Sequence, residues 1–438
     1  MSWALWWSGL MLAAGPSDTN VVLVTVDTLR ADRLGLYGYD RPTSPFLDEL
    51  AGESVVFDRM FAQSSFTPPS HASIFTSLYV RQHGLLTWNW LDEGHVTLAE
   101  VLREAGYTTG AVANLGLLLQ HNLGQGFEHR DQKDDGAERI NLRAKQWLAS
   151  IRGQKFFLWV HYFDVHAPYA RHPGYERYFN EHHNPAVGRH MRYYNSEPAT
   201  RRELRMTEAD VAFIKDRYDG GVAFVDRALL GLVAELKALD VWDRTLLVVT
   251  SDHGESLDEH HPMYFTHDPF LYDAVIRIPA VIRFPGGRFG GARVRGMVES
   301  VDLAPTILSY LGLAIPLAFE GRDLMPMFRG QSEGREVVFS ESWGWRTIKS
   351  IRTERWKLLW KIKADRFKLY DLEADAGELR DVSAEHPEVT ERLKARLLKW
   401  ADVEENPVRE NPELDEEMRE RLRSLGYMRE GSQESLED

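Results

Sequence analysis

Two apolar runs that each lead to an aspartate constrain the fold more than any other feature of this sequence. The first covers residues 21–26 and is followed by Asp27; the second covers 246–250 and is followed closely by Asp252. Both are short, rich in β-branched residues and without polar alternation, which is typical of strands buried on both faces of a parallel sheet. Because open α/β sheets bind ligands at the carboxyl ends of their strands, we expect both carboxylates at one such edge.

Further strand and helix patterns alternate along the chain. Strand-like apolar segments lie at 55–57, 110–113, 156–161 and 280–283, and helical patterns at 45–52, 70–79, 97–105, 137–151, 207–238 and 302–311. This alternation predicts the α/β class, with a doubly wound, mainly parallel sheet. Shorter segments at 350–353, 356–360 and 367–372, followed by a helix near 386–402, predict a small antiparallel sheet with a covering helix.

The predicted organisation has four parts. Residues 1–18 have the apolar character and small-residue ending of a signal peptide, although no Lys or Arg precedes the apolar stretch. We therefore expect a periplasmic or secreted protein, with a cytoplasmic protein as the alternative, and no stable membrane span. A large α/β domain is expected over 19–334, a smaller subdomain over 335–404, and an acidic tail over 405–438.

The charge of the chain limits its partners. Its 52 Lys and Arg against 66 Asp and Glu give a formal net charge of −14. That balance argues against a nucleic-acid partner, whose phosphates require a basic face. An anionic substrate would have to be attracted by local cations, which favours a metal ion at the site.

A third motif, at residues 67–71, places an alcohol near the predicted sheet edge. Its sequence is Thr-Pro-Pro-Ser-His, and it leads into a helical pattern. A hydroxyl is a poor nucleophile near neutral pH, but a divalent ion shared with a strand-end carboxylate such as Asp27 would stabilise its alkoxide. A helix start also attracts anions. Thr67 is therefore a candidate nucleophile, and a simple helix cap is the alternative.

The residues around these motifs resemble the sulfatases of the alkaline phosphatase superfamily. The resemblance is strongest at 24–32 and 70–79, and it extends over roughly residues 20–400. In typical sulfatases the nucleophile segment reads Cys-x-Pro-Ser-Arg, and the cysteine is oxidised to formylglycine. Here Thr67 occupies the cysteine position and His71 the arginine position, and the chain has no cysteine at all. The resemblance implies an alkaline-phosphatase-like fold and a hydrolase that works without formylglycine.

The resemblance also implies a metal site formed by Asp27, Thr67, Asp252 and His253. Sulfatases usually carry a second aspartate after the first ligand and an asparagine after the last aspartate, whereas this chain has Thr28 and His253. The loss of oxygen ligands weakens the case for a sulfatase-type calcium site. One imidazole, two carboxylates and an alkoxide favour one zinc or manganese ion, with calcium and magnesium as alternatives.

Three further residues are predicted to line the substrate pocket. His166 resembles the histidine of the family's His-x-Pro segment, which contacts the substrate or protonates the leaving oxygen. His267 lies near the position of a substrate-binding lysine, and His260 and His261 compete with it for that role. Asn114 falls where many sulfatases carry another lysine, and it could donate a hydrogen bond but no charge.

Two hypotheses about neighbouring residues stay open at this point. His71 either contacts the substrate or only faces the edge of the site as a first-turn helix residue. If Asp164, His166 and His267 cluster, they could hold a second metal, as in the two-zinc members of the superfamily.

The chemistry of threonine favours phosphate over sulfate. A threonine sulfate ester would lack the geminal hydroxyl that formylglycine uses to expel sulfate, whereas a phosphorylated threonine can be cleared by water or passed to an acceptor. We therefore predict a metal-dependent hydrolase, or a phosphotransferase, acting on a phosphate- or phosphonate-type ester of a small molecule, lipid or glycan. The alternatives are a sulfuric ester hydrolase without formylglycine and a non-catalytic protein that binds ligands in the pocket. The oligomeric state is left open.

Overall fold

A computed structural model describes most of the chain. The described residues are 18–87, 89–114, 119, 121–170, 172, 174–175, 207–259, 265–267, 269–343 and 347–402. Residues 1–17, the acidic tail, His260 and His261 therefore lie outside them. Among the helices of these ranges, none is long and apolar enough to cross a bilayer.

The larger sheet has eight strands within the described residues. These are β1 (Asn20–Val26), β2 (Val55–Phe61), β3 (Thr108–Ala113), β4 (His129–Gln132), β5 (Phe156–Tyr162), β6 (Thr245–Ser251), β7 (Arg277–Arg283) and β8 (Arg293–Glu299). Their order across the sheet is β4-β3-β5-β1-β6-β7-β2-β8. Only β7 runs antiparallel to its neighbours β6 and β2. The predicted mainly parallel α/β sheet is confirmed.

Helices cover both faces of this sheet. The helices are α1 (Pro45–Leu50), α2 (Thr67–Thr76), α3 (Val80–His83), α4 (Leu98–Glu104), α5 (Ala137–Ser150), α6 (Glu208–Ala238), α7 (Asp273–Ile276), α8 (Leu303–Leu311), α9 (Met325–Phe328) and α10 (Pro387–Ala401). Leu23 of β1 lies in the core that includes α2, α4 and α8. Its neighbours Val22 and Val24 lie in the opposite core, with α5 and α6. Because successive side chains of β1 enter different cores, residues 21–24 are apolar without alternation.

Sequence periodicity did not identify the two edge strands, β4 and β8. The first is polar along its whole length, and the second carries two arginines and a glycine. Edge strands are covered less completely than central ones, so they need no continuous apolar run.

The predicted start of α2 at residue 70 is also wrong. The helix begins at Thr67 because Pro68 and Pro69 occupy its first turn, where a missing backbone N–H costs nothing.

A second, antiparallel sheet forms the predicted smaller structure. Its strands are β9 (Val338–Ser342), β10 (Ile348–Arg352), β11 (Trp356–Lys361) and β12 (Arg366–Asp371), in the order β12-β11-β10-β9. Helix α10 covers one face, where Leu393 and Leu397 pack in one cluster with Ile351 and Leu358. The predicted sheet and covering helix are confirmed, while a domain boundary at residue 334 stays a prediction.

A buried ion pair joins the two sheets. Lys357 of β11 is fully buried, and its Nζ lies 2.9 Å from Asp273 Oδ1 and 2.9 Å from Glu378 Oε1. Asp273 begins α7, which leads directly into β7 of the larger sheet. Arg352 of β10 pairs with the same carboxylate at 3.0 Å. The small sheet is thus held against the large one by ion pairs that are largely buried.

We expect Lys357→Met to lower the free energy of unfolding by about 3–5 kcal/mol, because it leaves the Glu378 carboxylate buried without its cation. Urea denaturation followed by circular dichroism would measure the change. Lys399→Met, on the exposed side of α10, is the matched control and should change stability by less than about 0.5 kcal/mol. Equal midpoints for the two variants would contradict a role for this ion pair in stability.

Candidate active site

One face of the three central strands changes from apolar to polar towards their carboxyl ends. Along that face stand Leu23, Thr25 and Asp27 in and after β1, Trp159 and His161 in β5, and Val248, Thr250 and Asp252 in and after β6. The strand register places Thr25 beside both His161 and Thr250. Since side chains on one face recur every second residue, Asp27 and Asp252 follow in the next layer.

Asp27, Asp252 and His253 converge at this edge of the sheet. All three are fully buried, and each offers a ligand atom within 4.8 Å of the other two. Asp27 Oδ1 and Asp252 Oδ2 have no hydrogen-bond partner. Burial raises the pKa of both carboxyls, and the charge of Asp27 raises that of Asp252 further. Buried oxygens without donors, next to an imidazole, are the donor set that a divalent cation fits.

The hydroxyl of Thr67 points into this cluster. Its Oγ1 lies 3.4 Å from Asp27 Oδ2 and 3.2 Å from His253 Nε2, and the side chain is fully buried. Phe66, and not Thr67, is the residue that precedes α2 as its cap. The hydroxyl is therefore directed at the carboxylate and the imidazole, and it does not close the end of the helix.

The orientation of His253 is set by its own loop. Its Nδ1 lies 2.9 Å from the carbonyl oxygen of Gly254, which can only accept, so Nδ1 carries a proton. Burial opposes a charge on the ring, but the carboxylates of Asp252 and Asp27 raise the pKa of His253 above its usual value. A metal ion bound at Nε2 would supply the positive charge that these carboxylates favour, in place of a proton on the ring.

Thr28 stands where the second aspartate of typical sulfatases is expected, and it ties the two strand ends together. Its hydroxyl donates to the carbonyl oxygen of Asp27 at 2.8 Å, and its backbone N–H donates to Asp252 Oδ1 at 3.3 Å. The residue has φ of 56°, a left-handed conformation that is unfavourable for a β-branched side chain. Thr28 thus orients the carboxylate of Asp252 with its backbone N–H, and its hydroxyl is already engaged.

His71 lies beneath Thr67 in a fully buried position. Its Nδ1 is 2.9 Å from the carbonyl oxygen of Thr67, and its Nε2 is 3.0 Å from Thr25 Oγ1. Burial lowers the pKa of His71 to about 3, so the ring is neutral. Because protein atoms engage both nitrogens, this placement favours a supporting role for His71 over substrate contact.

His166 and His267 lie together beside His253. The His267 ring centroid is 4.5 Å from that of His253 and 5.3 Å from that of His166. His166 stacks on Phe163 at 4.2 Å, and its Nδ1 lies 2.6 Å from the carbonyl oxygen of Ala167. The structure therefore brings both predicted pocket histidines to the cluster formed by Asp27, Asp252 and His253.

Asn114 and Asp164 form hydrogen bonds with the backbone of residues near the start of α5. The amide of Asn114 donates to the carbonyl oxygen of Asp135 at 2.7 Å. Asp164 accepts the backbone N–H of Ala137 at 3.1 Å, at the start of α5. Within the described ranges, Asp164, His166 and His267 do not form a metal-ligand group. The hypothesis of a second metal at these three residues is therefore wrong, because helix capping holds the carboxylate elsewhere.

Sequence reasoning missed Glu255 and its partner Tyr169. Glu255 is fully buried; it accepts from the Tyr169 hydroxyl at 3.0 Å and lies 3.1 Å from His267 Nδ1. The available signal was the Ser-Asp-His-Gly-Glu motif, in which this glutamate follows the predicted ligands. Gly254 makes the turn possible, since a Cβ there would lie 2.4 Å from the carbonyl oxygen of Ala274.

Comparisons with known proteins give matches along most of the chain. A family model described as Sulfatase matches residues 19–313, and one described as N-sulphoglucosamine sulphohydrolase, C-terminal, matches residues 260–402. The chain is 25% identical to arylsulfatase K of Bos taurus over 450 residues, covering 88% of this chain and 82% of the relative. It is 27% identical over 396 residues to the multifunctional alkaline phosphatase superfamily protein PehA of Trinickia caryophylli, covering 70% and 76% of the two chains.

Solved structures share the fold. The phosphonate monoester hydrolase of Agrobacterium radiobacter superposes with a TM-score of 0.75 at 22% identity, covering 87% of this chain and 95% of that one. The phosphonate monoester hydrolase SpPMH of Silicibacter pomeroyi gives a TM-score of 0.72 at 24% identity, covering 89% and 96%. The architecture described above is therefore that of known ester hydrolases.

The buried position of Glu255 generates a pH-dependent prediction for the metal-free protein. Burial raises the pKa of Glu255 from 4.5 to about 7. The folded state therefore holds this proton more tightly than the unfolded state, and the resulting stability is present below about pH 4.5 and lost as the pH rises through about 7. Glu255→Gln keeps a proton donor at every pH, so it should gain about 3 kcal/mol of stability relative to the wild type across this interval.

Urea denaturation in the presence of a chelator, at several pH values, would measure this difference. Glu388→Gln, on the exposed surface of α10, controls for the substitution itself. A difference between wild type and Glu255→Gln that stays constant from pH 4.5 to 8 would rule out a proton on this carboxyl in the folded state.

Proposed function

Since this chain belongs to the sulfatase family of the alkaline phosphatase superfamily, we propose that it is a metal-dependent hydrolase in which Thr67 attacks a phosphate- or phosphonate-type ester. The observation that carries the proposal is the position of Thr67 Oγ1, 3.4 Å from Asp27 Oδ2 and 3.2 Å from His253 Nε2. Asp27, Asp252 and His253 would hold one divalent ion, zinc or manganese, beside this hydroxyl. When bound, such an ion favours the alkoxide and offsets substrate charge.

The start of α2 presents fewer backbone donors to an anionic substrate than most helix starts do. Pro68 and Pro69 have no backbone N–H, so α2 lacks two donors that a helix start normally presents to an anion. His166 and His267 lie beside His253, where each could donate a proton to a substrate oxygen. We therefore expect the ion and these two histidines to take part in binding an anionic ester.

His166 is the proposed proton donor to the leaving oxygen. Burial lowers its pKa, while the negative charge of Asp27 opposes this effect. A bound phosphate ester would bring further negative charge beside the ring and favour its protonated form. His166 would then protonate an alkoxide leaving group, which needs a proton more than a nitrophenolate does.

The identity of the nucleophile favours phosphate as the group transferred. Threonine carries a single oxygen on its β-carbon, so a sulfate ester of Thr67 could not be expelled by a geminal hydroxyl. A phosphoryl group on Thr67 can be removed by attack of water at phosphorus or passed to an acceptor alcohol. The fold shared with two phosphonate monoester hydrolases supports this class of substrate. The ester itself would be a small molecule, lipid or glycan, met after export from the cytoplasm.

A sulfuric ester hydrolase without formylglycine is the second candidate, because arylsulfatase K is among the relatives and the matched family is the sulfatases. Parallel assays with nitrophenyl phosphate, phosphonate, phosphodiester and sulfate would separate the candidates. We expect sustained turnover of a phosphorus ester and, at most, a single stoichiometric release from the sulfate. Sustained turnover of the sulfate alone would establish the second candidate, and binding without any turnover would favour a non-catalytic protein.

The proposed nucleophile predicts a covalent intermediate. Thr67→Ala should lower activity by roughly 10³-fold or more, because it removes the attacking oxygen, whereas Thr67→Ser should retain much of the activity. Rapid quenching followed by peptide mass spectrometry should find a phosphoryl group on the peptide that contains Thr67. Thr76→Ala is the matched control, since its hydroxyl is also buried in α2 but bonds to the carbonyl oxygen of Ala72. Full activity of Thr67→Ala would refute the mechanism.

A further inference from the structure

A buried hydrogen-bond network below the site is centred on the hydroxyl of Thr25. Trp159 Nε1 donates to Thr25 Oγ1 at 3.0 Å. His71 Nε2 lies 3.0 Å from the same oxygen, and His161 Nδ1 lies 2.9 Å from it. All four side chains are fully buried. A hydroxyl can donate one hydrogen bond and accept two, so these three contacts use its whole capacity.

The partners of this network determine where each proton lies. Trp159 can only donate, and it occupies one acceptor position of Thr25. His71 Nδ1 faces the carbonyl oxygen of Thr67 and must carry a proton there. A ring that is fully buried and bonded to a carbonyl oxygen and a hydroxyl takes its neutral form, so Nε2 of His71 has no proton and accepts the one of Thr25. Thr25 Oγ1 can then only accept from His161, so Nδ1 of His161 carries a proton and donates it to this oxygen.

The other nitrogen of His161 faces the metal-ligand cluster. Its Nε2 lies 3.4 Å from Asp27 Oδ2 and has no hydrogen-bond partner. With the proton on Nδ1, this nitrogen presents a lone pair to a carboxylate. Asp27 Oδ1 and Asp252 Oδ2 are likewise buried without donors. Three neighbouring acceptor groups without a donor are unfavourable unless a cation lies among them.

We propose that His161 is a further donor to the metal site, with its Nε2 lone pair directed at the position shared with Asp27, and that Thr25 and His71 are positioning residues that fix this tautomer. The inference rests on the metal site of the proposed function. His161 is not one of the three residues of the group formed by Asp27, Asp252 and His253. It would approach the ion next to Asp27, the member of that group from which its Nε2 is 3.4 Å away.

The residue at position 71 decides the direction in which Thr25 donates its proton. The sulfatase pattern has an arginine there, which offers five donors and no acceptor. An arginine could not accept the Thr25 proton, so that proton would be directed at His161 Nδ1 and the lone pair would move away from Asp27. With a neutral histidine at position 71, Thr25 donates its proton to His71 and accepts one from His161. His71 and His161 are thus linked through one hydroxyl, although 90 residues separate them in the chain.

Nitrogen NMR of the metal-free protein, labelled with ¹⁵N-histidine, tests the proton assignment. We expect His161 to carry its proton on Nδ1, with its signals assigned by their loss in His161→Phe. Thr25→Val removes the acceptor and should shift His161 towards the other tautomer, whereas Thr25→Ser should restore the wild-type signal. A proton on Nε2 of His161 in the wild type would overturn the proposal.

Calorimetric titration of the metal-free protein with manganese and with zinc tests the donor role. His161→Phe and the more conservative His161→Gln should each weaken binding by roughly 10–100-fold. His83→Phe is the matched control, because His83 is a buried histidine bonded to Ser73 Oγ outside the site, and its loss should leave the affinity unchanged. Circular dichroism would verify that each variant is folded.

Asp252→Asn separates failure of this inference from failure of the proposed function. If the wild type binds an ion, Asp252→Asn does not, and the His161 variants bind like the wild type, then His161 is no donor while the metal site stands. If the wild type binds neither manganese nor zinc, both the metal-dependent function and the role of His161 are refuted.

Discussion

Two buried carboxylates at the ends of adjacent parallel strands are the constraint on which the rest of the structure depends. The register of β1 and β6 sets Val26 opposite Ser251, so Asp27 and Asp252 must emerge side by side. Burial and mutual repulsion both raise the free energy of their charged forms. A cation between the two carboxylates would compensate for both effects. The arrival of His253 and Thr67 at the same point would give such a cation a nitrogen and a hydroxyl as well.

The layer of side chains below the carboxylates, formed around Thr25, is polar although the core beneath it is apolar. Thr25 satisfies Trp159, His71 and His161 at once, so polar atoms that would be costly in isolation are paired. The acceptors left over all face the metal-ligand cluster. Polar atoms that face Thr25 are all hydrogen-bonded, whereas the acceptors that face the metal-ligand cluster are not. From this difference we infer that His161 belongs to the metal site.

Support from outside the central strands completes the arrangement. Gly254 allows the chain to turn against Ala274 and returns Glu255 beneath His267. The ion pair of Lys357 with Asp273 holds the small sheet against α7, which leads into β7. The polar edge strands β4 and β8 show the limit of periodicity as a guide, because a strand with one covered side needs no continuous apolar sequence.

The sequence by itself determined the parallel α/β sheet and the convergence of Asp27, Thr67, Asp252 and His253. Buried parallel strands are mostly apolar, and the residue after such a strand lies at the ligand-binding edge. The resemblance to sulfatases implied that Thr67 and His253 join the two aspartates there. The sequence could not determine the contacts of Thr25, His71 and His161, or those of Glu255 with Tyr169. These pairs are distant in the chain and meet only through lateral strand register and loop packing. Tertiary structure therefore decided which polar atoms were paired, and which were left to face an ion.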